Sequence, residues 1–225
     1  MSATRPLISL LGDSITTFQG CNPPFYPVYY ENDLLEKNGL EDVEDSWWDQ
    51  VLCALNGLLL VNNSWSGSRV SGGGFPAGCS TERTHALHRG DAVPDKIFIY
   101  LGFNDFALGV TPRKEDGDEL FSFFGAYCAM LRQLQAAYPH SELCCGTLLR
   151  SYLAGSAAPG FPDRLAAGYS FEEYNDCIRE ACARAGGRLV DMAATGIAYE
   201  SLDGAHPTAV GHRELARAWL RAMGE

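Results

Sequence analysis

Long apolar runs are missing from this 225-residue chain, and none approaches the roughly 20 consecutive apolar residues a membrane-crossing helix needs. Basic clusters are missing too: 17 Lys and Arg stand against 28 Asp and Glu, a formal net charge of -11. That balance excludes nucleic acid and an anionic membrane surface as partners, because both demand clustered Lys and Arg. Cysteine is present eight times but never as C-x-x-C. Cys53, Cys128, Cys144, Cys177 and Cys182 fall in apolar helix-like or strand-like segments and read as small buried hydrophobes rather than a disulfide framework. A bridge between Cys21 and Cys79 is conceivable, because both follow loops that are candidates for a functional site. The Gly72-Gly73-Gly74 run lacks the Lys-Ser/Thr of a phosphate loop, and His85-x-x-His88 has no third ligand nearby, so no metal or cofactor site is expected. No charged n-region followed by a long apolar h-region opens the chain, which predicts a cytoplasmic protein.

What is present is a single stretch of globular composition over residues 1–225, 46% hydrophobic and without a Pro/Gly/Ser-rich linker, which predicts one domain. Short β-branched or apolar runs at Leu7 to Leu11, Leu58 to Val61, Lys96 to Leu101, Leu143 to Leu148 and Arg188 to Val190 read as five strands. Helix-like stretches lie between and after them, at Ser46 to Leu55, Thr81 to His88, Glu119 to Ala137, Ser170 to Ala185 and Thr208 to Met223. Phe124, Tyr127, Cys128, Leu131 and Leu134 recur at three and four residues and mark one buried helix face. Ser170 with Glu173 forms a capping box, and Pro207 is expected to open the final helix. Alternating strands and helices predict a parallel sheet covered on both faces, with ligands beyond the carboxyl ends of its strands.

Four polar clusters fall at those ends: Gly12-Asp13-Ser14, Ser66-Gly67-Ser68, Gly102-Phe103-Asn104-Asp105 and Asp203-Gly204-Ala205-His206. They contain a serine, an imidazole and a carboxylate, the three groups that turn a weak hydroxyl into a nucleophile. Each has a plainer competitor: Ser14 as a helix cap, Asn104 and Asp203-Gly204 as turn residues, His206 as a satisfied surface histidine. Asp13 and Asp105 are expected to accept loop N–H groups rather than take part in chemistry. The three-residue spacing of Asp203 and His206 places acid and base on one turn.

With G-D-S at 12–14, N-S-W-S-G at 63–67, G-F-N-D at 102–105 and D-G-A-H-P at 203–207, nearly the whole chain resembles the SGNH hydrolases, or GDSL-type esterases. The G-x-S-x-G elbow of the other large serine-esterase fold is missing. The resemblance implies a three-layer α/β/α domain around a flavodoxin-like five-stranded parallel sheet. It implies Ser14 as nucleophile, His206 as general base and then acid, and Asp203 as the carboxylate that orients it, with no cofactor. An oxyanion hole would then be made by the Ser14 and Gly67 backbone N–H groups and the Asn104 amide, Gly67 serving because a missing Cβ lets backbone approach the substrate. The implied activity is hydrolysis of a small-molecule ester through an acyl-Ser14 intermediate, with acetyl on a carbohydrate as the preferred guess. A thioesterase or lysophospholipase of the same family, or a silent ligand-binding domain, are the alternatives.

Residues 18–45 form a long, aromatic and acidic insertion, with Pro23-Pro24-Phe25-Tyr26-Pro27 and Tyr29-Tyr30. Segments of this kind often cover functional sites. This one is expected to pack over Ser14 and, with Trp65, Phe75, Phe103 and Phe106, to wall the substrate site; the alternative is a second hydrophobic cluster that stabilises the fold. Arg69 either meets the substrate or pairs with a rim carboxylate.

Overall fold

In the computed structural model, which describes residues 4–114, 119–165 and 167–225, five parallel strands form the central sheet. They are β1 (Leu7–Gly12), β2 (Leu58–Ser64), β3 (Lys96–Tyr100), β4 (Glu142–Gly146) and, after a short strand β5 (Ser151–Leu153), β6 (Arg188–Val190). The sheet order is β2-β1-β3-β4-β6, so the chain reverses direction of growth between β1 and β3 and leaves a crevice at their carboxyl ends. This is the flavodoxin-like arrangement. A second, two-stranded parallel sheet pairs β5 with β7 (Tyr199–Ser201).

Helices α1 (Asp33–Lys37) and α2 (Trp47–Ala54) lie in the crossover from β1 to β2. They are followed by α3 (Thr81–Thr84), α4 (Phe103–Ala107), α5 (Phe123–Ala137), α6 (Phe171–Ala185) and α7 (Ala209–Met223). Helices α2 and α7 pack on each other over one face of the sheet, where the rings of Trp47 and Trp219 meet at 5.0 Å and Trp219 meets Phe98 of β3 at 5.1 Å. Helices α5 and α6 pack on each other as a second pair. Ile97 and Ile99 alternate with Phe98 and Tyr100 along β3, and all four are buried, as a strand covered on both faces requires. No helix among the described residues is long and apolar enough to cross a membrane.

Several sequence expectations shift for identifiable reasons. Helix α3 ends at Thr84 rather than His88, because the Thr84 hydroxyl bonds back to the Ser80 carbonyl and the chain turns; His85 and His88 are left exposed, and no metal-holding cluster of His, Cys, Asp or Glu occurs among the described residues. The helix expected from Glu119 is a 3-10 turn over Glu119–Phe121, then α5 capped by Ser122. Pro207 lies outside α7, whose cap is Thr208, the hydroxyl accepting from Gly211 N–H at 3.2 Å. Strand β2 runs on through the polar Asn62, Asn63 and Ser64, each buried. All eight cysteines are free thiols, so Cys21 and Cys79 do not pair. The insertion at 18–45 is partly ordered into α1 and a 3-10 turn at Val43–Asp45.

Candidate active site

Strand β1 ends at Gly12, and the chain enters a 3-10 turn over Ser14–Thr16. The cap of that turn is Asp13, whose Oδ1 accepts from Ile15 N–H at 3.1 Å. Ser14 is thereby relieved of the capping role its position suggests, and its Oγ stands 2.9 Å from His206 Nε2. His206 Nδ1 lies 2.7 Å from Asp203 Oδ2, while Asp203 Oδ1 accepts the backbone N–H groups of Ala205 at 2.9 Å and His206 at 2.8 Å. One carboxylate therefore builds the turn that carries the imidazole and also fixes the ring. Partial burial alone would raise the Asp203 carboxyl; the His206 ring and backbone bonds win and hold it well below the usual carboxylate range.

The loop bearing both residues hangs from the small sheet. Thr208 N–H donates to Glu200 O at 3.0 Å, and Ser151 Oγ of β5 donates to Gly204 O at 2.5 Å. Gly204 has φ +89°, and a Cβ there would collide with the Gly160 carbonyl, so this turn needs glycine on both counts.

Neither the Ser14 nor the Gly67 backbone N–H has a hydrogen-bond acceptor among the described residues. Gly67 is exposed with φ +79°, a backbone conformation that favours glycine, and the space a Cβ would occupy there is open. Asn104, in the first turn of α4, donates one amide hydrogen to Ser68 O at 2.9 Å, and its other amide hydrogen has no acceptor among the described residues. Beneath this loop, the buried Asp105 accepts Val70 N–H at 2.7 Å and Ser71 N–H at 3.0 Å, tying the Gly67 loop to α4. Burial pushes Asp13 and Asp105 up to about 6 each, against the pull of the N–H groups they hold.

Sequence reasoning missed Arg83. Its guanidinium is buried under the same loops, donating to Gly12 O at 2.9 Å, Asn63 O at 2.8 Å, Asn63 Oδ1 at 2.9 Å and Pro76 O at 2.7 Å. Burial brings it down to about 10, while Tyr26 and Asp13 pull the other way. Nothing in T-E-R-T distinguishes it from a surface arginine. Tyr29 was not singled out from its segment either, yet its ring lies flat on the His206 imidazole, 3.4 Å between centroids and 6° between planes.

The aromatic residues divide. Trp65, whose N–H donates to Gly12 O at 3.2 Å, clusters with Tyr26 and Phe75 at 4.7 Å each. Phe103 packs on Phe161 at 5.1 Å. Phe106 is no part of a wall: it is buried in the core against Phe171 and Tyr174. Arg69 makes no ion pair among the described residues; its charge only partly opposes the burial that raises Asp105.

A sequence model of the GDSL-like lipase/acylhydrolase family matches residues 6–154. No curated protein sequence matches the chain. Among solved structures, a protein from Bacteroides uniformis described as a GDSL-like lipase is 24% identical, with TM-score 0.72 over 99% of this chain and 97% of that one. One from Bacteroides ovatus with the same description is 23% identical, with TM-score 0.69 over 98% and 99%. A structure from Agrobacterium tumefaciens described as an arylesterase shares the fold at 16% identity and TM-score 0.60, over 97% and 98%.

Proposed function

The chain belongs to the GDSL-like lipase/acylhydrolase family, a hydrolase of carboxylic esters, and we propose that its chemistry runs through an acyl-enzyme on Ser14. The observation that carries this reading is the unbroken line from Asp203 Oδ2 through the His206 ring to Ser14 Oγ, with bonds of 2.7 and 2.9 Å. In this reading His206 Nε2 removes the Ser14 proton as Oγ attacks the ester carbonyl. The oxygen of the tetrahedral intermediate takes its charge into the space offered by the unpaired N–H groups of Ser14 and Gly67 and the free Asn104 amide hydrogen, neutral donors that need no deprotonation. Collapse expels the alcohol, which leaves with the proton held on His206. Water then attacks the acyl-Ser14 carbonyl, His206 takes the water's proton and returns it to Ser14 Oγ, and the carboxylic acid departs.

The substrate reading is finer. Trp65, with Tyr26 and Phe75, offers aromatic surface next to the Gly67 loop, and Phe103 offers more beside Asn104; such faces suit a sugar ring or an aryl group as well as a short acyl chain. Arg69, without an ion-pair partner among the described residues, would meet a polar substituent. An acetyl ester of a carbohydrate is our preferred substrate. A coenzyme A thioester is disfavoured by the net charge of -11, which offers no basic field for its phosphates. Eight unpaired thiols favour a reducing compartment, the cytoplasm in this reading.

Labelling with a fluorophosphonate probe, read by intact mass, tests the mechanism. One adduct is expected on the wild type and none on Ser14→Ala, with turnover of p-nitrophenyl acetate lost in parallel. A folded wild type that neither labels nor turns over would overturn it in favour of a binding domain.

A further inference from the structure

Tyr29 belongs to the insertion at 18–45, yet it contacts both halves of the site. Its ring is stacked on His206, and its hydroxyl donates to Asp203 Oδ2 at 3.2 Å, the same oxygen that faces His206 Nδ1. Its backbone N–H donates to Thr17 Oγ1 at 2.9 Å, and that hydroxyl in turn donates to Ser14 O at 2.8 Å. Tyr30, edge-on to Tyr29 at 5.0 Å, donates its hydroxyl to Pro207 O at 2.9 Å. The dipeptide thus joins the nucleophile turn to the loop carrying Asp203 and His206, two segments far apart in sequence.

Resting on the acyl-Ser14 reading above, we propose that Tyr29 is a positioning residue that holds the His206 imidazole in the plane shared by Asp203 Oδ2 and Ser14 Oγ. The torsion that turns a histidine ring is broad and weakly restrained. A single bond at Nδ1 fixes one edge of the ring and leaves it free to swing about that bond, carrying Nε2 away from Ser14. A second ring lying flat at 3.4 Å blocks the swing. Proton transfer demands hydrogen-bond reach between base and nucleophile, so loss of the plane is felt in the chemical step. The phenol face also carries negative quadrupole density, which attracts the imidazolium that exists only once His206 has taken the proton. An interaction stronger in the transition state than in the ground state acts on kcat and leaves KM alone. Burial and the Asp203 charge push the Tyr29 hydroxyl up to about 12, so it stays a donor across the neutral range.

Tyr29→Phe keeps the stack and removes the hydroxyl; Tyr29→Leu removes both. Ester hydrolysis by wild type, Tyr29→Phe, Tyr29→Leu and Ser14→Ala is compared with the NMR signal of the His206 Nδ1 proton, which reports the ring's placement without turnover. In Tyr29→Leu, kcat is expected to fall by roughly tenfold or more with KM within about twofold, and the Nδ1 proton signal to broaden or vanish. Tyr29→Phe restores the signal and brings kcat back to within about threefold of wild type. Unchanged kcat in Tyr29→Leu, a loss confined to KM, or a persistent Nδ1 proton signal would each overturn the proposal. If Ser14→Ala retains full activity it is the acyl-Ser14 reading that falls, and the NMR comparison still decides the placement of the ring.

Discussion

His212 gives the sharpest test of the physical reasoning, because its ionisation is set chiefly by burial. It lies in α7, packed edge-on against Tyr30 at 4.7 Å, and its Nδ1 accepts the Trp47 N–H at 3.1 Å. Burial first, and the nearby His206 second, bring it down to about 3 from the ordinary 6.5. The unfolded chain therefore takes up this proton first as the solution is acidified. The stability tied to a neutral His212 is fully present above about pH 6.5 and is lost as pH falls towards 3, by about 1.4 kcal/mol per unit. The cost reaches about 2 kcal/mol at pH 5 and about 5 kcal/mol at pH 3, a large part of a domain's whole stability. His212→Gln keeps an oxygen for the Trp47 N–H, loses the ring contact with Tyr30, and does not titrate. It should be less stable than wild type by about 1 to 2 kcal/mol at pH 7.5. The order should reverse below about pH 5. Urea titrations of both proteins at four or five pH values between 4 and 8 supply the difference, in which the titrations of Asp13 and Asp105 cancel. A difference constant across that range would show that His212 is not held neutral, and the argument from burial would fail.

Asp203→Asn turns an amide towards His206 Nδ1 and favours the tautomer with its proton on Nε2, facing Ser14, so kcat should fall by roughly a thousand- to ten-thousandfold with little change in melting temperature; a loss under tenfold in steady-state assays would remove Asp203 from the proton path. Arg83→Met strips the Gly12, Asn63 and Pro76 carbonyls of their buried donor and should cost about 3 kcal/mol, or roughly 6 to 12 °C in Tm for a chain of this size. A calorimetric Tm within a degree of wild type would contradict that role.

Much of this fold could be read before it was seen, wherever a segment's own residues decide its fate. The β-branched run at Lys96–Tyr100 and the capping box at Ser170 with Glu173 are local signals, and both elements form there. Three of the four clusters were legible for the same reason: each is a short polar string at the end of an apolar run, whereas the Asp203–His206 turn follows β7 of the small sheet. What stayed hidden depends on partners distant in sequence. Asn62, Asn63 and Ser64 fall beyond the strand read at Leu58 to Val61 because they are polar, yet they extend β2: the Asn62 amide finds Thr16 O and the Asn63 amide finds Arg83 O and Ala86 O. Strands β5 and β7, three residues each, exist only as a pair across almost fifty residues of chain. Phe106 was misplaced because an aromatic residue beside a motif looks the same in sequence whether its helix turns it outward or, as here, into the core.

The carriage of Asp203 and His206 on one four-residue turn has a mechanical corollary. Three groups placed independently would need two separations kept true at once. Here the acid and base move as one body, so thermal displacement or a change elsewhere in the scaffold cannot part them without unmaking the turn itself. What stays adjustable is the swing of the ring about its Nδ1 bond and the gap between that body and Ser14, 2.9 Å long.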